Sequence, residues 1–345
     1  MIKPKRLNQG DTVAIVSLSS GMGGDPIFRH RYELGKQRLE TEFGLNVITM
    51  PNALKCTDYL YKHPEARAAD LMAAFEDTRI KAIISMIGGD DTIRLLPHIN
   101  FEIIRNNPKI FMGYSDTTAN HFMMYKAGLI SFYGPCVICE FAENAAMHDY
   151  TKRYINATLF DPTPELPITP SPNWTNERLD WADESNNKIP RTMTQDTKGF
   201  ELLQGTGIAT GKLLGGCIDV FPMIIGTEIW PRPHEWQDAI LFLETSEEYP
   251  RPDDIKYLLR GLAAQGVIER INGIIFGKPH SEKYYDEYKQ ILLQVVGDES
   301  GRPDLPVLYN VNFGHSAPMC ILPYGVTAEI DCAGTSLRII DTAVV

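Results

Sequence analysis

Neither a long apolar run nor a basic tract occurs in this chain of 345 residues, and cysteine is scarce. No stretch approaches the roughly 18–20 consecutive apolar residues that a membrane-spanning helix needs. Lys and Arg total 33 against 44 Asp and Glu, for a formal charge of -11, and the cations never cluster as binding to a phosphate backbone requires. Nucleic acid and membrane are therefore not expected partners; small molecules or peptides are. Six cysteines over this length are too few for a disulfide scaffold. Cys136-Val-Ile-Cys139 has the spacing of a redox pair or half a zinc site, but no second pair follows at a suitable distance. The favoured reading is of buried, reduced structural thiols. After a basic start, Asn8 to Asp11 interrupts the N-terminus before any sustained apolar region, so a cytoplasmic protein without a signal peptide is expected.

What is present is an ordinary globular composition, 43% hydrophobic and 22% charged, sufficient for one or two domains with real cores. From residue 11 to about 150, short apolar runs at Thr12–Ser17, Leu45–Met50, Ala82–Ile87, Lys109–Met112 and Leu129–Tyr133 alternate with helical patterns. Those patterns lie at Phe28–Phe43, Pro64–Phe75, Asp91–Asn106 and Thr117–Ala127. The alternation predicts an α/β fold with a doubly wound parallel sheet. After Asp161, five prolines in eleven positions exclude a helix or a central strand. The polar stretch that follows carries Trp174 and Trp181, which either pin it to a domain surface or meet a substrate. From Gly205 onward, strands are expected at Ala239–Leu243, Gly273–Phe276, Pro306–Val311 and Leu337–Ile340, with helices at Pro252–Ala264 and around Lys283–Val295. The expected organisation is thus an α/β domain over 1–160, a Pro-rich linker and Trp-bearing loop over 161–204, and a second domain over 205–345. A site is expected between the two domains.

The segment from Lys109 to His121 runs from an apolar strand through Gly113 and Tyr114 into a helix by way of Ser115. A side chain at such a junction projects beyond the sheet edge, near backbone N–H groups that can hold an anion. A serine there needs a histidine as base and an acid to orient it. His315, in a Gly/Pro-flanked loop just past an apolar strand, is the best placed of eight histidines. His121 would lie along the helix and point away from the strand end, and His98 and His234 are expected on the surface. Glu244 closes the strand Ala239–Leu243, where α/β sites are built, whereas Glu247 and Glu248 are expected to be solvated. For an oxyanion, Gly88-Gly89 after the Ala82–Ile87 strand lets the backbone approach a ligand. Gly89 N–H and the N–H of Asp116 are the candidate donors. The glycine pair is equally consistent with a tight turn or a phosphate loop, although it lacks the G-x-G-x-x-G and P-loop spacings.

Taken together, Gly-Gly-Asp after a strand, Gly-Tyr-Ser115-Asp-Thr-Thr, Phe-Leu-Glu244 and Gly-His315, in the order Ser, Glu, His, resemble the LD-carboxypeptidase family of serine peptidases (S66 type). The resemblance covers nearly the whole chain. Its length and Trp-bearing insertion are most similar to the microcin C immunity branch. The resemblance implies a flavodoxin-like N-terminal domain, a smaller mixed α/β C-terminal domain contributing Glu and His, a homodimer, and no metal or cofactor. It implies Ser115 as nucleophile, His315 as general base and acid, Glu244 as its orienting partner, and Gly89 and Asp116 amides as oxyanion donors. It also implies an aromatic ring on the inserted loop that stacks on a nucleotide, with Trp181 the candidate and Trp174 the alternative. The serine departs from G-x-S-x-G at the last glycine, so the likeness to α/β-hydrolases is geometric. Three functions are expected in order. The first is hydrolysis of a peptidyl- or aminoacyl-nucleotide such as processed microcin C. The second is removal of the terminal D-amino acid from murein tetrapeptides, and the third is non-catalytic ligand binding.

Overall fold

The computed structural model describes residues 1–345, which form two compact units. The first comprises Met1–Pro162, Glu177–Thr192 and Ala343–Val345, and the second Thr163–Asn176 and Met193–Thr342. The Pro-rich and Trp-bearing stretch is thus shared between them, with Trp181 in the first and Trp174 in the second.

In the first unit, β1 (Thr12–Val16), β2 (Asn46–Thr49), β3 (Ile80–Ser85), β4 (Ile110–Gly113) and β5 (Phe132–Tyr133) are all parallel, in the order β2-β1-β3-β4-β5. This is the flavodoxin-like order of a doubly wound sheet. Its central strands are buried on both faces, which is why they read in sequence as unbroken apolar runs and not as alternation. Helices Arg29–Thr41, Pro64–Glu76 and Thr117–Ala127 flank it. Pro64 occupies the first turn of its helix, and Gly128, at φ 82, ends the last. The helix expected over Asp91–Asn106 is instead two pieces, a 3-10 turn at Thr92–His98 and a helix at Phe101–Asn106. Pro97 lacks the N–H that would continue the first piece, and the Asn100 side chain caps the second by accepting from the Glu102 and Ile103 amides.

The second unit is built on eight strands. β6 (Leu166–Ile168) lies at one edge, followed in space by β16 (Ser336–Ile339), β15 (Thr327–Asp331), β10 (Ile208–Cys217), β11 (Ala239–Glu244), β12 (Gly273–Gly277), β13 (Val307–Val311) and β9 (Glu201–Gln204). The four from β10 to β13 are parallel and the flanking ones antiparallel. Pro167 sits in β6, the edge position where a strand tolerates a missing N–H. A ribbon of β7 (Asn173–Trp174) with β8 (Thr194–Gln195) and a short strand β14 (Leu322–Pro323) complete this unit. Cys217, Glu244 and Lys278 end or follow successive parallel strands, so chemistry-bearing residues collect at the carboxyl edge of the sheet.

One buried cation ties the first unit's loops together. Arg67, with its side chain 0% exposed, donates to the carbonyls of Leu18 and Ser19 at 3.0 and 3.2 Å and to both carboxylate oxygens of Asp91 at 2.6 and 3.0 Å. It thereby joins the loop after β1 to the loop after β3. Replacing Arg67 with Ala leaves Asp91 without that partner and is expected to cost about 3–5 kcal/mol. Urea unfolding should read this loss, with Arg67→Lys recovering only part of it, because an ammonium cannot make the two-pronged contact.

Candidate active site

Ser115 stands where the sequence places it, between the end of β4 and the helix Thr117–Ala127, and its backbone is strained. Its φ is 63, a left-handed conformation that costs a residue with a β-carbon on the order of 1–3 kcal/mol. Hydrogen bonds on every side hold it. The Ser115 N–H donates to the Tyr133 hydroxyl at 3.1 Å, and the Ser115 carbonyl accepts from Thr118 at 2.9 Å. The Tyr114 carbonyl accepts from Thr117 at 3.2 Å. Asp116, fully buried, accepts the Thr92 N–H at 2.8 Å. Burial pushes its carboxyl up, against the donors Ser19 and Thr92 that favour the ionised form.

The glycine pair lies directly against this serine. A Cβ on Gly88 would fall 2.8 Å from Ser115 Cβ, 3.0 Å from Ser115 Oγ and 3.3 Å from the Asp116 nitrogen. Any larger residue would push the loop off the hydroxyl. Gly89 has a φ of 150, open to glycine and hardly to anything else. In this unit the structure therefore gathers Ser115, the Gly88-Gly89 loop and the Asp116 amide.

His121 differs from expectation. Its ring does not point away from the strand end but turns back onto it, with Nε2 donating to the Gly113 carbonyl at 2.9 Å and Nδ1 2.8 Å from the Ser131 hydroxyl. Burial pushes its pKa down to about 3, so the ring is a neutral strut beneath the serine turn. His98 and His234 are exposed, as expected.

Within the second unit, Glu244 and His315 meet. Every residue of β11 is buried and Glu244 is 1% exposed. His315 Nδ1 lies 2.8 and 3.1 Å from the two Glu244 oxygens, and the His315 N–H donates to the same carboxylate at 3.4 Å. Gly314 makes this approach possible. Its φ is 84, and a Cβ there would lie 2.6 Å from the Glu244 carboxyl carbon. The His315 carbonyl accepts from the Asn176 amide at 2.8 Å, which fixes the loop from its other side.

Glu247, expected to be solvated, is only partly so and pairs with the ring. Its carboxylate lies 3.3 Å from His315 Nε2, with the side chain 30% exposed. Glu248 is exposed. Asp219 adds a further negative charge near the ring and accepts from Cys217 Sγ at 3.4 Å and from the Ser246 N–H at 3.2 Å. Burial alone would keep the imidazole neutral. The carboxylates of Glu244, then Glu247 and Asp219, overcome it and raise the His315 pKa to about 9. Sequence reasoning missed Glu247, Asp219 and Tyr133. Only the spacing Glu244-Thr-Ser-Glu247, which can fold two acids around one group, offered a signal.

Trp174 and Trp181 each have a cation against the ring. Trp181, half-buried in the first unit, has the Arg31 guanidinium 4.6 Å from its ring centre, and its carbonyl lies 2.9 Å from His30 Nε2. Trp174, in the second unit, has Lys278 Nζ at 4.8 Å. All six cysteines are free thiols. Cys136, Cys139 and Glu140 bring ligand-type atoms within 4.8 Å of one another, but Glu140 is engaged by the Cys136 N–H at 3.0 Å and burial pushes the Cys136 thiol up. A protonated thiol is a poor metal ligand.

Comparison with known proteins agrees with these motifs. Residues 13–134 match the LD-carboxypeptidase N-terminal domain, and residues 210–330 match the LD-carboxypeptidase C-terminal domain. An MccF-like protein from Streptococcus pneumoniae, solved in complex with AMP, is 38% identical and has a TM-score of 0.88 over 97% of this chain and 99% of its own. The chain belongs to the LD-carboxypeptidase family. A probable murein peptide carboxypeptidase of Bacillus subtilis strain 168 is 30% identical over 96% of this chain and 92% of its own length. The microcin C7 self-immunity protein MccF of Escherichia coli is 29% identical over 96% of this chain and 93% of its own. MccF structures with a TM-score of 0.85 include complexes with aspartyl sulfamoyl adenosine and glutamyl sulfamoyl guanosine.

As a member of the LD-carboxypeptidase family, the protein is a serine peptidase of carboxypeptidase type. No helix is long and apolar enough to cross a membrane. The His315 environment can be tested without a substrate. Histidine-labelled NMR should find His315 titrating near 9. Glu244→Gln should drop that value below the ordinary histidine range of about 6.5, since desolvation then acts with less opposition.

Proposed function

We propose that this LD-carboxypeptidase family member hydrolyses the amide bond of a peptidyl- or aminoacyl-nucleotide such as processed microcin C, giving self-immunity or detoxification. In this reading Ser115 attacks the carbonyl, and His315 takes the hydroxyl proton and later delivers it to the leaving group. Glu244 holds the imidazole by Nδ1 and stabilises it once charged. The amides of Gly89 and Asp116 donate to the oxyanion. The observation that carries the reading is the buried Glu244 carboxylate 2.8 Å from His315 Nδ1, which fixes the ring with Nε2 as its reactive edge.

The nucleotide-like substrate is supported by the relatives, since MccF is seen with two aminoacyl sulfamoyl nucleosides and the pneumococcal protein with AMP. Trp181, held by Arg31 in a half-buried position, offers an aromatic surface of the kind a purine stacks on. A second reading is supported by the Bacillus relative, named a probable murein peptide carboxypeptidase at 30% identity. In that case the same three residues release a terminal D-amino acid from a murein tetrapeptide.

Parallel assays on aspartyl sulfamoyl adenosine and on a murein tetrapeptide distinguish the two. Faster turnover of the nucleotide is expected, and turnover of the tetrapeptide alone would overturn that order. Ser115→Ala should cut kcat by roughly four to six orders of magnitude on whichever substrate is used, because triad members act as a unit. The base must be neutral to act. In the wild type, kcat/KM should therefore fall about tenfold per unit as the pH drops below the His315 value of about 9.

A further inference from the structure

A general base needs its Nε2 unprotonated and open, and in this structure that nitrogen is paired with a second carboxylate. The Nε2 of His315 faces Glu247 at 3.3 Å while Nδ1 faces Glu244 at 2.8 Å, so the ring is clasped by acids on both edges. The two acids are not equivalent. Glu244 is 1% exposed and closes a wholly buried strand. Glu247 is 30% exposed and lies on the loop beyond. One is a fixture, and the other reaches both the ring and the solvent from which substrate arrives.

We propose that Glu247 is a recognition site for a primary ammonium group on the acyl part of the substrate, and that binding this ammonium draws Glu247 away from His315 Nε2. The exchange is one of like for like. A carboxylate that pairs with an imidazolium gives up that partner readily only for another cation. An uncharged acyl group cannot compensate it, and a carboxylate in that place meets repulsion from Glu247 and from Asp219. Once Glu247 turns to the ammonium, the imidazolium loses one of its stabilising charges and releases the Nε2 proton to solvent. The neutral ring then accepts the Ser115 hydroxyl proton as Oγ bonds to the carbonyl carbon. The charged groups around the ring are Glu244 at the end of β11, Glu247 on the loop after it and Asp219 on the turn after β10. Of these, Glu247 alone is paired with Nε2.

This inference rests on the triad reading and narrows its substrate to acyl groups that carry a free amine. The amine is the α-amine of an aminoacyl-nucleotide in the first reading and the side-chain amine of a diamino acid in a murein peptide in the second. The test compares the wild type with Glu247→Gln on aspartyl sulfamoyl adenosine and on its des-amino analogue, succinyl sulfamoyl adenosine. Should the tetrapeptide be the substrate that turns over, it is compared with its side-chain N-acetylated form. The wild type is expected to prefer the amine by roughly tenfold or more in kcat/KM, the size of one lost ion-pair contact. Glu247→Gln should lose that preference, by falling on the amine substrate and holding or rising on the des-amino one.

The pH profiles add a readout that a structural role would not move. In the wild type with the amine substrate, the acid limb of kcat, which reports the bound state, should lie below that of kcat/KM, which reports the free enzyme. The gap should close in Glu247→Gln. NMR titration of His315 in the unliganded variant should show a lowered pKa whatever the substrate. An unchanged amine preference in Glu247→Gln, or a wild-type kcat limb no lower than that of kcat/KM, would overturn the inference while leaving the triad intact. Retained hydrolysis in Ser115→Ala would overturn the triad itself, a result distinguishable from either.

Discussion

A carboxylate buried at the end of a strand with no accessible face must be supplied with donors or give up its charge. Glu244 is in that position, and the organisation at this edge of the second unit follows from how it is supplied. The donors come from His315, by its ring and by its own backbone N–H. For both to reach one carboxylate, the chain leaving β13 must pass against the Glu244 side chain, and a left-handed glycine at 314 allows it. The loop is then held from behind through Asn176, whose side chain also accepts from the Ser316 hydroxyl and the Ser281 amide. Packing and electrostatics are one requirement here. A longer side chain at 314 would displace the carboxylate that the histidine needs.

The first unit meets a comparable constraint with a different device. Its strained residue is Ser115, and the strain is opposed by hydrogen bonds from near and far in the chain: Thr118 from the following helix, Tyr133 from β5, and Thr92 through Asp116. None of these partners has its own chemistry. Their role is to keep the serine in a conformation it would leave if released. Arg67 does the same one layer out, since the loop that carries Gly88 and Gly89 is anchored by the Arg67–Asp91 pair. The geometry of the serine turn therefore depends on buried polar contacts more than on apolar packing.

Those two constraints also explain what could be read from sequence. Parallel strands buried on both faces leave unbroken apolar runs, so β1, β3, β4, β11 and β12 were legible within a residue or two. Residues that end such runs, as Glu244 does, or follow them within a residue or two of a glycine, as Ser115 and His315 do, could be placed for the same reason. The direction a side chain takes from a helix was not. His121 lies in the first half of its helix, and whether its ring turns outward or back toward Gly113 depends on the Ser131 hydroxyl, ten residues away in sequence. Nor was Glu247 legible, because a polar loop residue looks solvated until the histidine that faces it is placed, and that histidine comes from a loop much later in the chain, beyond β13. The split of Asp91–Asn106 was announced by Pro97 and Asn100, residues whose capping chemistry is local and was outweighed by the spacing of the apolar side chains.

The second carboxylate on His315 bears on how reactivity and stability coexist. An imidazolium between Glu244 and Glu247 is a well-satisfied buried ion, favourable to the folded state and useless as a base. Glu244 alone would still orient the ring and favour its charged form, with less hold on the proton. On the reading that Glu247 answers a substrate cation, the enzyme keeps its strongest pairing while it is empty and gives up one arm of it when a substrate supplies the replacement charge. Part of the substrate's binding energy then goes into creating the base and not into tighter binding, which is where differential stabilisation of the transition state begins. The cost falls on substrates without the cation, and selectivity arises at the same atom, Nε2, that performs the proton transfer.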